Sequence, residues 1–154
     1  MIKILFICYG NICRSVMAEA VMRDMLDKSM LSDLVEVDSA ATSTEEIGNK
    51  IYPPAKKELA SHGLENDSHR ARQLVTQDYW DYNMLIGMDD TNIRDINSIC
   101  KTDISHKIYK LLDYVDSRKG ENISDPWYTR DFKTCYDDIY EGCKSLMSAL
   151  RNTI

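Results

Sequence analysis

The chain has 154 residues, of which 44% are hydrophobic and 29% are charged, a composition ordinary for one globular domain with a sizeable buried core. Its net charge of −6 argues against a general nucleic-acid or anionic-membrane binder, because no cluster of Lys and Arg provides such a surface. No apolar run approaches the roughly 20 residues of a membrane span, and the N terminus has no signal-peptide pattern, so we expect neither.

The first half of the chain carries alternating strand and helix patterns. These predict a strand over residues 2–7, a helix over 15–28, a strand over 35–40 and a helix from 53 to about 62. The first helix has apolar residues at helical spacing, with Glu19 outside the apolar stripe. Pro53 suits the start of the second helix and Gly63 suits its end.

The same alternation continues in the second half. The patterns predict a helical turn capped by Thr76, a strand over 82–88, a helix ending around residue 99, a strand over 107–112 and a helix over 132–154. Either Asp89 or Asp90 suits the N-cap of the helix after the third strand. A polar loop over 116–124 leads to Asp125 and Pro126, which interrupt the chain before the last helix.

Strands that alternate with helices predict an α/β fold. We expect a single three-layer domain over residues 1–154, with a four-stranded parallel sheet flanked by helices. In such folds ligands bind beyond the carboxyl ends of the strands. Residues 8–15, the sequence CYGNICRS, lie at that end of the first strand and directly before a helix. We therefore expect a phosphate-binding loop there, where backbone N–H groups and the helix dipole favour an anion.

The side chains of this loop suit phosphate chemistry. Gly10 allows the backbone close to a ligand, and Asn11 tolerates a left-handed conformation. The loop amides, the helix N terminus and Arg14 all favour the thiolate form of Cys8, which makes it a nucleophile. Arg14 can hold two phosphoryl oxygens at once, and the Ser15 hydroxyl can donate to the sulfur.

Cleavage of a phosphate ester also requires a proton for the leaving oxygen. None of the three histidines lies near the loop in sequence, so the candidate acid is a carboxyl group. Asp125 is that candidate, because Pro126 stiffens its segment and Trp127 and Tyr128 add ring surface beside it.

Six motifs together resemble the low-molecular-weight protein tyrosine phosphatases. They are C-x-G-N-I-C-R-S at 8–15, A-E-A at 18–20, D-S-A-A at 38–41, H-x-A-R at 69–72, M-D-x-x-N at 88–92 and D-P-[YW]-Y at 125–128. They span nearly the whole chain in the right order. The resemblance therefore covers the chain and not only the loop.

The resemblance implies a two-step hydrolysis of protein phosphotyrosine and small aryl phosphates. Cys8 would form a cysteinyl-phosphate, Arg14 and the loop amides would stabilise the phosphoryl oxygens, and Asp125 would act first as acid and then as base. The expected partners are phosphotyrosine-containing proteins, with inorganic phosphate as product and inhibitor. No cofactor is implied, and the His and Cys spacing suggests no metal.

The expected substrate-binding residues are Tyr9, Gly10, Asn11, Ile12, Cys13, Ser15, Tyr52, Trp127 and Tyr128. By the same resemblance, Asn11, Ser39 and His69 would form a buried hydrogen-bonded network behind the loop. Cys13 could form a reversible disulfide with Cys8 under oxidation. The five cysteines form no C-x-x-C pair, which indicates a reduced, cytoplasmic protein.

The chain departs from the family pattern in two places. Val16 replaces a proline that usually begins the helix, a change of small expected effect. Glu45 and Glu46 stand where many relatives carry an aromatic wall residue. If they lie at the entrance they would disfavour very acidic peptides, although a plain surface loop explains them equally well.

Three other functions compete with this interpretation. An arsenate reductase on the same fold would need later cysteines just after the third strand, but Cys135 and Cys143 lie on the final helix. A related protein-arginine phosphatase carries threonine where this chain has Ile12. A non-catalytic phosphotyrosine-binding module would need neither Cys8 nor Asp125.

Overall fold

Four parallel strands form a single sheet in the computed structural model, which describes residues 1–154. They are β1 (Ile2–Cys8), β2 (Val35–Ala41), β3 (Met84–Gly87) and β4 (Ile108–Lys110), in the spatial order β2-β1-β3-β4. All three pairings are parallel. The predicted four-stranded parallel sheet is therefore confirmed.

Six α-helices connect and cover the strands. They are α1 (Arg14–Lys28), α2 (Pro53–Ser61), α3 (Thr76–Asp81), α4 (Asp90–Cys100), α5 (Pro126–Thr129) and α6 (Phe132–Thr153). Two short 3₁₀ helices, Leu111–Tyr114 and Asp116–Arg118, follow β4. None of these helices is long and apolar enough to span a bilayer.

The sheet is covered on both faces, which gives the three predicted layers. β1 alternates between the two sides: Ile4 and Phe6 pack into a larger core with α1, α2 and α6, whereas Leu5 and Ile7 pack into a smaller core with α3 and α4. These four side chains are fully buried. Each contributes about 1.5–3 kcal/mol by leaving water. Packing on both faces of the sheet therefore fixes β1, and with it the start of the loop that follows this strand.

Several boundaries differ from the sequence prediction. The fourth strand ends at Lys110, because Leu111 begins a 3₁₀ helix against α6. The N-cap of α3 is Val75 and not Thr76, and the Asp78 carboxylate accepts a hydrogen bond from the Val75 N–H at 2.9 Å. Glu19 was expected outside the apolar stripe, but it is only 4% exposed. Its partners explain this burial and belong to the site.

Candidate active site

The loop between β1 and α1 is folded around a left-handed residue. Asn11 has φ of 59°, a conformation that Asn adopts more readily than most non-glycine residues. No side chain caps the N terminus of α1. The first N–H groups of this helix are therefore available to an anion.

Two hydrogen-bond donors point at the sulfur of Cys8. The Asn11 backbone N–H donates to Sγ at 3.3 Å. The Ser15 Oγ lies 3.0 Å from Sγ and accepts a hydrogen bond from the Asn11 side-chain amide at 2.8 Å. Because Ser15 Oγ is already an acceptor, its own proton is free to point at the sulfur. Both donors stabilise a negative charge on Cys8.

A buried network behind the loop holds Asn11 in place. The Asn11 amide also donates to Ser39 Oγ at 2.9 Å, and its Oδ1 accepts from the Arg72 N–H at 3.1 Å. The His69 Nε2 donates to the Asn11 carbonyl at 2.7 Å. A left-handed non-glycine residue costs of order 1 kcal/mol or more. These bonds offset that cost and fix the shape of the loop.

Glu19 extends this network and was missed as a site residue. Its carboxylate accepts from Ser39 Oγ at 2.6 Å and from the Asn66 side-chain amide at 3.2 Å, and it pairs with Arg23 at 2.8 Å. A buried carboxylate is tolerated only with such partners. Helical periodicity could not reveal them, and the A-E-A motif was the available signal.

Arg14 is anchored from below by two acceptors. Its Nη1 donates to Asp89 Oδ2 and to the Ile123 carbonyl, both at 2.7 Å. These bonds use both N–H groups of Nη1, so those on Nε and Nη2 can bind an anion. Nη2 also lies 3.5 Å from Asp125 Oδ2. Burial lowers the pKa of Arg14, but the negative charges of Cys8, Asp89 and Asp125 outweigh burial and raise that pKa above its ordinary value.

Asp89 has a second role that sequence patterns did suggest. It is the N-cap of α4, where its Oδ1 accepts from the Asn92 N–H at 2.7 Å. The sequence left Asp89 and Asp90 open for this position, and Asp89 occupies it. Its contact with Arg14 joins residues 75 positions apart, so no local pattern could predict that contact.

Asp125 lies at the edge of the same pocket. It is the N-cap of α5, and its Oδ1 accepts from the Trp127 N–H at 3.0 Å. Its Oδ2 lies 3.5 Å from Arg14 Nη2, and its side chain is 26% exposed. The carboxyl group can therefore reach both the phosphoryl site and solvent water.

The pocket is lined by the loop, by the segment after β2 and by α5. Its lining residues are Cys8, Tyr9, Gly10, Ile12, Cys13, Arg14, Glu45, Glu46, Asp125, Trp127 and Tyr128. Of the residues expected to bind substrate, Asn11 and Ser15 are fully buried behind the loop. Tyr52 also does not line this pocket; it lies behind Trp127, with ring centroids 4.8 Å apart.

An arginine missed by the sequence analysis supports this aromatic pair. The Arg130 Nη1 donates to the Tyr52 hydroxyl at 2.8 Å. Its guanidinium carbon lies 5.4 Å from the Trp127 ring centroid and 5.8 Å from that of Tyr52. This cation–π contact fixes the aromatic wall on one side of the pocket.

Another part of the pocket lining is acidic. The Tyr9 hydroxyl donates to Glu45 Oε1 at 2.8 Å, and this hydrogen bond raises the pKa of Tyr9. Glu46 lies close to Gly10, because a Cβ atom built onto Gly10 would be 3.5 Å from the Cγ atom of Glu46. Both residues line the pocket.

Two further features bear on the chemistry of the pocket. Burial, followed by the charge of Cys8, raises the pKa of Cys13, so this thiol keeps its proton. No group of three or more His, Cys, Asp or Glu side chains is arranged to hold a metal ion.

Comparison with known proteins identifies the same family from several directions. The model of the low molecular weight phosphotyrosine protein phosphatases matches residues 3–154. The chain is 36% identical over 151 residues to the Bacillus subtilis low molecular weight protein-tyrosine-phosphatase YfkJ, covering 98% of this chain and 97% of that protein. It is 37% identical over 153 residues to the Homo sapiens low molecular weight phosphotyrosine protein phosphatase, with 94% and 93% covered.

Solved structures share the fold of this chain. The crystal structure of Bacillus subtilis YfkJ superposes with a TM-score of 0.96, covering 99% of this chain and 96% of that chain. A Drosophila arginine phosphatase superposes with a TM-score of 0.88 at 29% identity, covering 97% of this chain and 98% of that chain.

Proposed function

The chain belongs to the low molecular weight phosphotyrosine protein phosphatase family, and we propose that it hydrolyses protein phosphotyrosine through a cysteinyl-phosphate on Cys8. The observation that carries this mechanism is the convergence of Cys8, Arg14 and Asp125 on one pocket. These groups supply a nucleophile, a fixed cation and a carboxyl group.

In the first step, the Cys8 thiolate attacks phosphorus and the bond from phosphorus to the tyrosine oxygen breaks. The Asp125 carboxyl group gives its proton to the departing phenolate. Charge on the phosphoryl oxygens is stabilised by the free N–H groups of Arg14 and by the loop amides.

In the second step, water attacks the cysteinyl-phosphate and releases inorganic phosphate. The Asp125 carboxylate accepts a proton from that water, which restores the acid. The Cys8 thiolate is the leaving group, and the donors from Ser15 and Asn11 stabilise it as it departs. Inorganic phosphate fits the same cradle and should inhibit as a product.

Hydrolysis of p-nitrophenyl phosphate and of a phosphotyrosine peptide tests this proposal. Wild-type protein should turn over both, and Cys8→Ser should turn over neither. Cys100→Ala is the matched control, because this buried thiol lies in the other core. Equal rates for wild type and Cys8→Ser would rule out the cysteinyl-phosphate mechanism.

Phosphoarginine is the contrasting substrate. Ile12 presents an apolar side chain to the pocket, which suits the ring of phosphotyrosine better than a guanidinium group. We therefore expect a higher kcat/KM for a phosphotyrosine peptide than for a matched phosphoarginine peptide. The reverse order would assign the enzyme to phosphoarginine.

Oxidation of Cys8 by a peroxide would be reversible through Cys13. The thiolate would become a sulfenic acid, and the Cys13 thiol would condense with it to a disulfide with loss of water. The raised pKa of Cys13 keeps this thiol protonated, so the peroxide oxidises Cys8 first. Cys13 loses its proton as its sulfur attacks the sulfenic acid. All five cysteines are free thiols, which supports a reducing, cytoplasmic location.

A further inference from the structure

Lys110 is a buried lysine that the proposed mechanism does not use. It ends β4, and its side chain is only 8% exposed. Its ammonium donates to Asp90 Oδ1 at 2.7 Å, to the Gly120 carbonyl at 2.8 Å and to Asn122 Oδ1 at 3.0 Å. These acceptors use all three of its N–H groups.

The three acceptors belong to two different elements. Asp90 begins α4, whereas Gly120 and Asn122 lie in the segment over residues 120–125 that ends at Asp125; we call it the acid loop. Asn122 Oδ1 also accepts from the Asp90 N–H at 3.0 Å. Lys110 therefore ties the acid loop to the N terminus of α4.

The acid loop reaches the active site directly after this tie. The Ile123 N–H donates to the Met88 carbonyl at 2.9 Å, and the Ile123 carbonyl accepts from Arg14 at 2.7 Å. Asp125 follows two residues later, with its Oδ2 3.5 Å from Arg14. A shift of the loop at Gly120 and Asn122 would therefore move the carboxyl group of Asp125.

The other anchors of the loop at this point are at exposed residues. The Glu121 N–H donates to the Arg118 carbonyl at 3.0 Å, the Glu121 carboxylate accepts from Arg118 Nε at 3.0 Å, and the Asn122 side-chain amide donates to Asp90 Oδ2 at 3.5 Å. Gly120 adopts φ of 86°, and its N–H donates to Asp113 Oδ1 at 2.9 Å. Asn122 and Asp90 are exposed. The hydrogen bond from Lys110 lowers the pKa of Asp90, so this partner stays ionised near neutral pH.

We propose that Lys110 is a positioning residue, which fixes the acid loop so that Asp125 can protonate the leaving group. The inference rests on the proposed role of Asp125. Displacement of a catalytic group by about 1 Å can cost on the order of 100-fold in rate. The loss should depend on the leaving group, because only a poor leaving group needs the proton.

The test compares kcat/KM for a phosphotyrosine peptide and for p-nitrophenyl phosphate in Lys110→Met. We expect a loss of about tenfold or more for phosphotyrosine and a clearly smaller one for p-nitrophenyl phosphate. Lys119→Met is the matched control. Its ammonium is exposed and lies 3.8 Å from Asp116, so both values should stay unchanged. Equal losses on the two substrates in Lys110→Met, or none, would overturn the proposal.

The same substitution in an Asp125→Ala background separates positioning from general destabilisation. Once the acid is absent, Lys110→Met should add no further difference between the two substrates. If Asp125→Ala itself leaves their ratio unchanged, the proposed acid role fails; if it changes the ratio and Lys110→Met does not, only the role of Lys110 fails.

Asn122→Ala repeats the test at an exposed position, which keeps it valid if Lys110→Met does not fold. It should shift the substrate ratio in the same direction by a smaller factor. An unchanged ratio in Asn122→Ala, with folded protein, would count against the tie.

Discussion

Asp89 binds Arg14 with one carboxylate oxygen and caps α4 with the other. The two bonds are each 2.7 Å long. The position of the Arg14 guanidinium is therefore set by the segment that follows β3, the strand paired with β1.

Asp89→Asn should weaken catalysis more than folding. The amide keeps an oxygen for the Asn92 N–H, but it turns an N–H group toward Arg14 in place of a charged acceptor. A hydrogen bond between charged groups is worth about 1.5–3 kcal/mol, so kcat/KM for p-nitrophenyl phosphate should fall about 10- to 100-fold. Urea unfolding should show that the fold is retained. An unchanged kcat/KM would mean that Arg14 does not need Asp89.

Asp125→Asn should separate substrates by their leaving groups. The amide oxygen still accepts from the Trp127 N–H, so the start of α5 is preserved while the proton is lost. General acid catalysis contributes about 10²–10⁴-fold, and kcat/KM for phosphotyrosine should fall by that order. For p-nitrophenyl phosphate the fall should be much smaller. Equal falls on both substrates would rule out the acid.

Neutralising the acidic wall should change peptide preference. Wild type should favour phosphotyrosine peptides with Lys or Arg beside the phosphotyrosine over peptides with Asp or Glu there. An exposed ion pair is worth about 0.2–1 kcal/mol. The double substitution Glu45→Gln with Glu46→Gln should therefore reduce the ratio of kcat/KM for the basic peptide to kcat/KM for the acidic peptide by up to about fivefold. The measurement is made at low and at high salt. A ratio that changes neither with salt nor with the substitutions would contradict the prediction.

The buried thiol of Cys100 predicts a loss of stability at alkaline pH. Burial raises the pKa of Cys100 from 9.0 to about 11, so the folded protein keeps a proton that the unfolded chain releases. This stabilisation is complete below the unfolded pKa and is lost as pH rises through about 9 to 11. In urea unfolding across this range, Cys100→Ala should lose less free energy of unfolding than wild type. Parallel losses would contradict this prediction.

The sequence predicted the fold and the local part of the site well. The sheet and the larger helices followed from apolar periodicity, because β1, α1 and α6 bury continuous faces. The loop could be predicted from residues 8–15 alone, because Cys8 and Arg14 both lie in this short segment. The fourth strand was predicted too long, because Leu111 is apolar in either a strand or a 3₁₀ helix.

The supporting residues could not be predicted in this way. Lys110 and Asp89 act through partners that are distant in sequence, and their local patterns indicate only a strand end and a helix cap. Glu19 is buried by charged and polar partners, which hydrophobic periodicity cannot register. Such contacts depend on how loops meet after the sheet has formed.

Asn11 leaves none of its hydrogen-bonding groups free, since its N–H, its carbonyl and its side-chain amide all have partners within the protein. The loop is therefore ordered before a ligand binds, so little binding free energy is lost in ordering it. For inhibitor design, an anionic group should be directed at the loop and Arg14. Further affinity should come from contacts outside the loop. An aromatic group can pack against Trp127, and a cationic group can pair with Glu45 and Glu46.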